Sequence, residues 1–386
     1  MRVRTKRIAA SLFMSAMILM ALPAFSAKAE ETTPAAGENT GEQTQQQEAE
    51  QPKQELKVVR EKEKIKMICG ERRALNLANK AVVKVESSDP KIVAVNGLGQ
   101  MFGMKAGKAE VSIFTETEQT VYSINVSDVV DLILFAGQSN MCGAGGNYTQ
   151  APTPKLGTAY EFNLNGEEDQ KLIGMREPFG NGTNRPFMMN GRYMPGNGTI
   201  CSSFAISYYK KTGVPIVGVP AGWGGTTTNT WLSSGILETS VSRLKQAKKY
   251  LKKKKCKIRH IYVVWYQGES DGQKGYSPDS YEANMKKIWK KYKKVGAEKM
   301  FMIRIAGMIG APGMMDGIAT RQSQMCKKYK YFVMASTATS DMHMDPGQWY
   351  SDIIHINQKG LNKIGTQAGK CAGKVAGKSK KTKKKK

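Results

Sequence analysis

Residues 131–141 read Asp131-Leu132-Ile133-Leu134-Phe135-Ala136-Gly137-Gln138-Ser139-Asn140-Met141. An unbroken apolar run that stops at a glycine and polar residues describes a strand buried on both faces, ending in a turn. Such a strand needs a layer of structure on each side. Runs of the same kind recur at 215–219, 258–265, 300–305 and 331–335. Amphipathic spacing marks helices over 202–211, 236–251, 279–295, 316–328 and from 358 to about 375. This alternation predicts an α/β domain over 129–369, with a three-layer α/β/α architecture and a five-stranded parallel, doubly wound sheet. Its site is expected at the carboxyl ends of the strands. The 137–199 segment, rich in Gly, Asn, Pro and Met, is expected to wall a cleft.

Working outward, Arg2, Arg4, Lys6 and Arg7 precede an uncharged run over 8–27 that leads to Ala27-Lys28-Ala29. That order predicts a signal peptide over 1–29 and an extracellular or wall-associated protein. The run is also long enough to be kept as an anchor. Residues 30–55, mostly Glu, Gln, Thr, Ala and Pro, are expected to form a flexible acidic linker. Over 56–128 short alternating runs (57–59, 80–86, 92–95, 109–114, 121–126) predict a small β-sandwich. Residues 370–386 hold nine lysines and are expected to be a disordered tail with affinity for anionic wall polymers.

The net charge of +27 raises the question of nucleic acid, but no nucleic-acid-binding motif accompanies the lysines. Six scattered cysteines without a C-x-x-C pair exclude zinc ribbons and dithiol redox motifs, and no essential disulfide is expected. Neither a metal nor a cofactor is expected.

Candidate chemistry sits at the strand ends. Ser139, beside Gly137, is placed to expose a hydroxyl and its own amide. The second strand runs into Pro220-Ala221-Gly222-Trp223-Gly224-Gly225-Thr226, where glycines let backbone N–H groups approach a ligand. The third ends in Trp265-Tyr266-Gln267-Gly268-Glu269-Ser270-Asp271. Gln267 brings an amide donor there, and Glu269 either a contact to a substrate hydroxyl or a prop for a neighbouring loop. Asp352-Ile353-Ile354-His355 closes the set, with a carboxylate and an imidazole three residues apart. Of the other two histidines, His260 begins the third strand, and His343 forms a rival pair with Asp341.

These four blocks, in this order, resemble the SGNH (GDSL-type) hydrolase superfamily. The closest resemblance is to the sialate O-acetylesterase and acetylxylan esterase group, including carbohydrate esterase family 6. The resemblance implies a flavodoxin-like sheet and a secreted serine esterase that removes O-acetyl groups from carbohydrate. It implies Ser139 as nucleophile, His355 as base, Asp352 as its orienter, and no metal or other cofactor. The oxyanion hole would combine the Ser139 amide, a Gly224 or Gly225 amide and the Gln267 side chain. Gln138, Asn140, Glu269 and Trp231 would contact substrate, while Arg321 and Gln324 match an R-x-x-Q pair read as structural. Separately, Ser87-Ser88-Asp89-Pro90 followed by Val93-Ala94-Val95 and Ala106-Gly107 resembles a group 2 bacterial Ig-like domain, which implies a spacer or wall-facing module. Two other functions stay open: a wall- or glycan-binding protein with an inactive esterase domain, and a lipase or thioesterase of the same superfamily.

Overall fold

The structure is a computed structural model that describes residues 55–383, apart from 187, 190–191, 194–196, 343 and 345–346. The expected signal peptide and nearly all of the linker lie outside the described residues. No helix among the described residues is long and apolar enough to cross a membrane.

Eight short strands precede the α/β domain: β1 (Lys57–Arg60), β2 (Ile65–Ile68), β3 (Arg72–Ala74), β4 (Lys84–Ser87), β5 (Val93–Val95), β6 (Gln100–Gly103), β7 (Gly107–Phe114) and β8 (Glu118–Ser127). They form two sheets, β1-β8-β7-β4 with β2 also on β8, and β3-β6-β5. Alternation along β7 buries Ala109, Val111 and Ile113 and leaves the residues between them half-exposed, as a one-sided strand requires. This module is tied to the larger domain by a buried carboxylate. Glu71 accepts from the Tyr160 hydroxyl (2.6 Å) and the Ile68 amide (3.0 Å), and pairs with Arg73.

The α/β domain contains β9 (Val129–Gly137), β10 (Ala159–Phe162), β11 (Leu172–Gly174), a small ribbon of β12 (Met188–Met189) and β13 (Arg192–Tyr193), β14 (Ile216–Gly222), β15 (Lys257–Tyr266), β16 (Lys299–Ile303) and β17 (Phe332–Ser336). Its sheet has seven strands in the order β11-β10-β14-β9-β15-β16-β17. All neighbours pair in parallel except β10 with β11. The expectation of five parallel strands is corrected: the five are present, but two more extend one edge and the last runs antiparallel. Both additions come from the segment read as a cleft wall. They are only four and three residues long, and β10 carries Glu161 in its middle, so neither shows the apolar run that marks a buried strand.

Seven helices complete the domain: α1 (Cys201–Thr212), α2 (Thr228–Ser233), α3 (Ile236–Lys253), α4 (Glu269–Gln273), α5 (Pro278–Lys294), α6 (Asp316–Lys328) and α7 (Gln358–Lys383). Helix α1 packs with α7, while α5 packs with both α3 and α6. The longest helix, α7, lies along α1.

That packing departs from the expected disordered tail, whose residues from Lys370 continue the helix; residues 384–386 lie outside the described residues. Helix α7 continues to Lys383, and Ala368, Ala372 and Ala376 are fully buried. Glycines at 365, 369 and 373 let its backbone touch α1. A β-carbon at Gly369 would lie 2.2 Å from the Phe204 carbonyl oxygen, and one at Gly365 2.3 Å from that of Ile200. A four-residue repeat of small residues thus forms a helix–helix seam among the lysines. Gly369→Val should therefore cost about 1–3 kcal/mol of stability through overpacking. Gly377→Ala, with nothing within 4 Å, should leave stability unchanged or raise it slightly. Thermal unfolding of the two variants checks this.

Candidate active site

The turn after β9 is fixed by the backbone it crosses. A β-carbon at Gly137 would sit 2.1 Å from the Tyr266 carbonyl oxygen, so only glycine fits there. The Gln138 amide donates to that same oxygen at 3.0 Å. Ser139 follows immediately, and its carbonyl accepts from the Ala144 amide (3.0 Å), which curls 139–144 into successive turns. The loop before α7 crosses these turns: a β-carbon at Gly145 would lie 2.7 Å from the β-carbon of His355.

Asp352 organises that loop. One carboxylate oxygen accepts from the amides of Ile354 (2.8 Å) and His355 (2.7 Å), which makes an Asx-type turn. The other oxygen lies 2.6 Å from Nδ1 of His355. Burial alone would raise the Asp352 pKa, but the two amides and the imidazole outweigh it and hold the carboxyl below its usual value. A D-x-x-H spacing therefore has a mechanical reason: the turn that Asp352 nucleates presents the imidazole back to it. The closing contacts are Ser351 N–H to the His355 carbonyl (2.9 Å) and a bridge between Tyr350 and Ile356. In the rival pair, Asp341 lies 3.7 Å from the Lys363 ammonium, and His343 falls outside the described residues.

Asn140 joins the two segments. Its amide oxygen accepts from the Ile356 N–H (3.0 Å), and its Nδ2 donates to the Ile354 carbonyl (3.3 Å) and to Oε1 of Glu269 (2.9 Å). Glu269 is buried, which pushes its carboxyl pKa up, and its second oxygen has no hydrogen-bond partner among the described residues. Gln138 is buried as well, its amide oxygen accepting from the N–H groups of Ser270 (3.2 Å) and Gly268 (3.4 Å).

The glycine loop after β14 comes alongside. The Trp223 amide donates to the Gly137 carbonyl (2.9 Å), and that of Gly224 to the Arg185 carbonyl (2.6 Å). Gly225, at φ +67°, has open space around its α-carbon. Among the described residues its amide donates to no backbone carbonyl. No group of three or more His, Cys, Asp or Glu side chains suited to a metal ion occurs among the described residues.

A family model described as carbohydrate esterase, sialic acid-specific acetylesterase, matches residues 129–372, more than half of the chain. The chain belongs to this carbohydrate esterase family. It is a carboxylic ester hydrolase acting on carbohydrate. No curated protein matches it. Among solved structures, a protein from Arabidopsis thaliana is similar at 20% identity and a TM-score of 0.46, over 64% of this chain and 98% of the other. A carbohydrate acetylesterase from Xanthomonas citri is similar at 15% identity and a TM-score of 0.38, over 84% and 74%. An acetyl-xylooligosaccharide esterase from Geobacillus is similar at 14% identity and a TM-score of 0.36, over 62% and 91%.

In this esterase the residues expected at the site separate into two groups. Asp352 and His355 are paired, and their loop is bonded through Asn140 to the turn that bears Ser139. Gln138, Asn140, Trp231, Gln267 and Glu269 are buried and hydrogen-bonded to the rest of the chain. Gln267 is fully buried, and its two amide hydrogens go to the Thr226 carbonyl (2.9 Å) and the Asp271 carboxylate. It has no hydrogen left for an oxyanion, and the Gly224 amide is likewise occupied. Trp231, expected to contact substrate, is fully buried between Trp223 and Trp265, and its indole N–H donates to Thr226 Oγ1 (3.0 Å), which braces the glycine loop. Gln138, Asn140 and Glu269, expected to contact substrate, are buried, and their hydrogen bonds run to other parts of the chain.

Two frame residues escaped the sequence reading. The Asp271 carboxylate accepts from the Thr228 amide and starts α2. Gln322 donates to the Gln267 carbonyl (2.9 Å) and accepts from the Ile305 amide (3.0 Å). Its signal was a glutamine on the otherwise apolar face Ile318, Ala319, Met325. Arg321 pairs with Asp279 and Glu282 on α5, away from these loops.

Removing the Gln267 amide would strand buried acceptors on Thr226 and Asp271. Gln267→Ala should therefore cost about 1–3 kcal/mol of stability, seen as a fall in Tm. An unchanged Tm with reduced turnover would instead restore Gln267 as an oxyanion donor.

Proposed function

We propose that this protein is an exported serine esterase that removes O-acetyl groups from a carbohydrate through Ser139, His355 and Asp352. The observation that carries this reading is the Asp352–His355 pair, 2.6 Å apart, in a loop bonded through Asn140 to the turn that bears Ser139. His355 takes the Ser139 hydroxyl proton as the oxygen attacks the acetyl carbonyl carbon. Asp352 holds the imidazole in one tautomer and stabilises the cation that forms. The tetrahedral oxyanion is met by backbone N–H groups of Ser139 and Gly225. Gln138 is the remaining side-chain amide at this edge, since its oxygen is fixed against the start of α4 and its Nε2 donates to no described group. His355 then returns the proton to the departing sugar oxygen, and water releases acetate from the acyl-enzyme by the reverse sequence.

The β-rich module in front of the domain serves in this reading as a bacterial Ig-like spacer between the esterase and its point of attachment. Lysines along α3, α5 and the end of α7 would favour an acetylated glycan with anionic groups, such as sialate or a wall polymer.

Acetate release from a panel of O-acetylated sialosides, xylo-oligosaccharides and wall glycans, with purified full chain, tests the assignment. Ser139→Ala should lower kcat/KM on the best substrate by 10⁴-fold or more, roughly, without a change in Tm. Comparable release by Ser139→Ala would overturn the mechanism. Absence of release from every member by wild type would favour an inactive, glycan-binding domain.

A further inference from the structure

The buried carboxyl of Glu269 has no place in the chemistry above, yet it sits at the junction of three chain segments. It is the first residue of α4, directly after the end of β15. Its Oε1 accepts one hydrogen of the Asn140 amide at 2.9 Å. The rest of that amide is committed to the two peptide groups on either side of His355: the Ile354 carbonyl at 3.3 Å and the Ile356 N–H at 3.0 Å. Asn140 is also the chain neighbour of Ser139. The turn that bears Ser139 and the loop that bears His355 are therefore joined through one short amide side chain, which also donates to Glu269.

We propose that Glu269 is a positioning residue of this esterase: by accepting from Asn140 it fixes the amide that seats the His355 loop against Ser139. The proposal rests on the serine-esterase reading of the site and adds a named support to it.

Two features single out the acceptor oxygen, not the charge, as what matters. The second oxygen, Oε2, is buried with no hydrogen-bond partner among the described residues, so the link to Asn140 runs through Oε1 alone. Burial also raises the pKa of the group, which favours the neutral form. A carboxyl is costly to bury, and an unpartnered oxygen adds to that cost. What is gained is a fixed acceptor for the second Asn140 amide hydrogen, the first being taken by the Ile354 carbonyl. Without it, the Asn140 amide is free to rotate, and both flanking bonds to the His355 loop loosen together. Loss of a fraction of an ångström in a serine–histidine contact is enough to lower turnover steeply.

The test uses purified full chain on the best acetyl ester of the panel. Glu269→Ala should lower kcat by about 50-fold or more with KM changed less than threefold, because Glu269 is buried and acts through Asn140. Glu269→Gln keeps an acceptor oxygen toward Asn140 and should recover most of the lost kcat. Asn140→Ala should show the same loss, and Glu269→Ala in the Asn140→Ala background should add nothing. The downfield proton resonance expected of the short Asp352–His355 bond should be present in wild type and Glu269→Gln and broadened in Glu269→Ala. Circular dichroism and Tm separate misfolding from misplacement, and the Gln rescue and the double variant decide the matter even if Glu269→Ala is unstable. Equal impairment of Glu269→Gln and Glu269→Ala would overturn the proposal in favour of a role for charge. Additive losses in the double variant would overturn it too. Failure of the underlying reading shows differently: Ser139→Ala would then stay active whatever Glu269 does.

Discussion

The Asn140 side chain hydrogen-bonds both peptide groups that flank His355, and it does so from the residue next to Ser139. More than 200 residues separate the two halves of the site in sequence, and this amide is what makes them one place. A backbone clamp of this kind fixes position and orientation together, since rotation of the loop would break one of the two bonds. The sheet supplies the rest. β9 and β15 run in parallel side by side, so the turn with Ser139 and the start of α4 with Glu269 emerge at the same edge. The glycine turns at 137 and 224 then let three loops pass at van der Waals distance.

Behind this surface the domain is held by buried polar groups whose partners are fully specified. Gln267, Asp271, Gln322 and Thr228 form a chain of hydrogen bonds across the ends of β15, α2 and α6. Such networks are stabilising only when each member is satisfied. Among the described residues, the Gln267 amide oxygen and one oxygen of Glu269 are among the buried polar atoms without a hydrogen-bond partner. These two follow directly on the end of β15, where rigidity is worth some stability.

Much of this was legible in the sequence, and the limits have physical causes. The five central strands announce themselves because strands buried on both faces must be apolar throughout, as 132–135 and 261–266 are. The pair Asp352 and His355 is legible because the Asx-type turn demands that spacing. Short edge strands escape, since β10 and β11 have too few residues for a pattern to emerge. Position along the chain does not reveal depth: Gln267 follows directly on the end of β15 and Trp231 lies on α2 after the glycine loop, yet both side chains are fully buried. The lysines after 369 hid a Gly/Ala repeat of period four, and charge density was read where helix packing was the stronger signal.

The central claim is that Ser139 is made nucleophilic by His355 within this clamped arrangement. The most direct measurement is covalent trapping of the full chain with an activated phosphonate ester, followed by peptide mass mapping of the adduct. The account predicts one adduct per chain, on Ser139, formed rapidly in wild type and at a rate reduced by orders of magnitude in His355→Ala. An adduct on another residue, or equal rates of labelling with and without the imidazole, would contradict it.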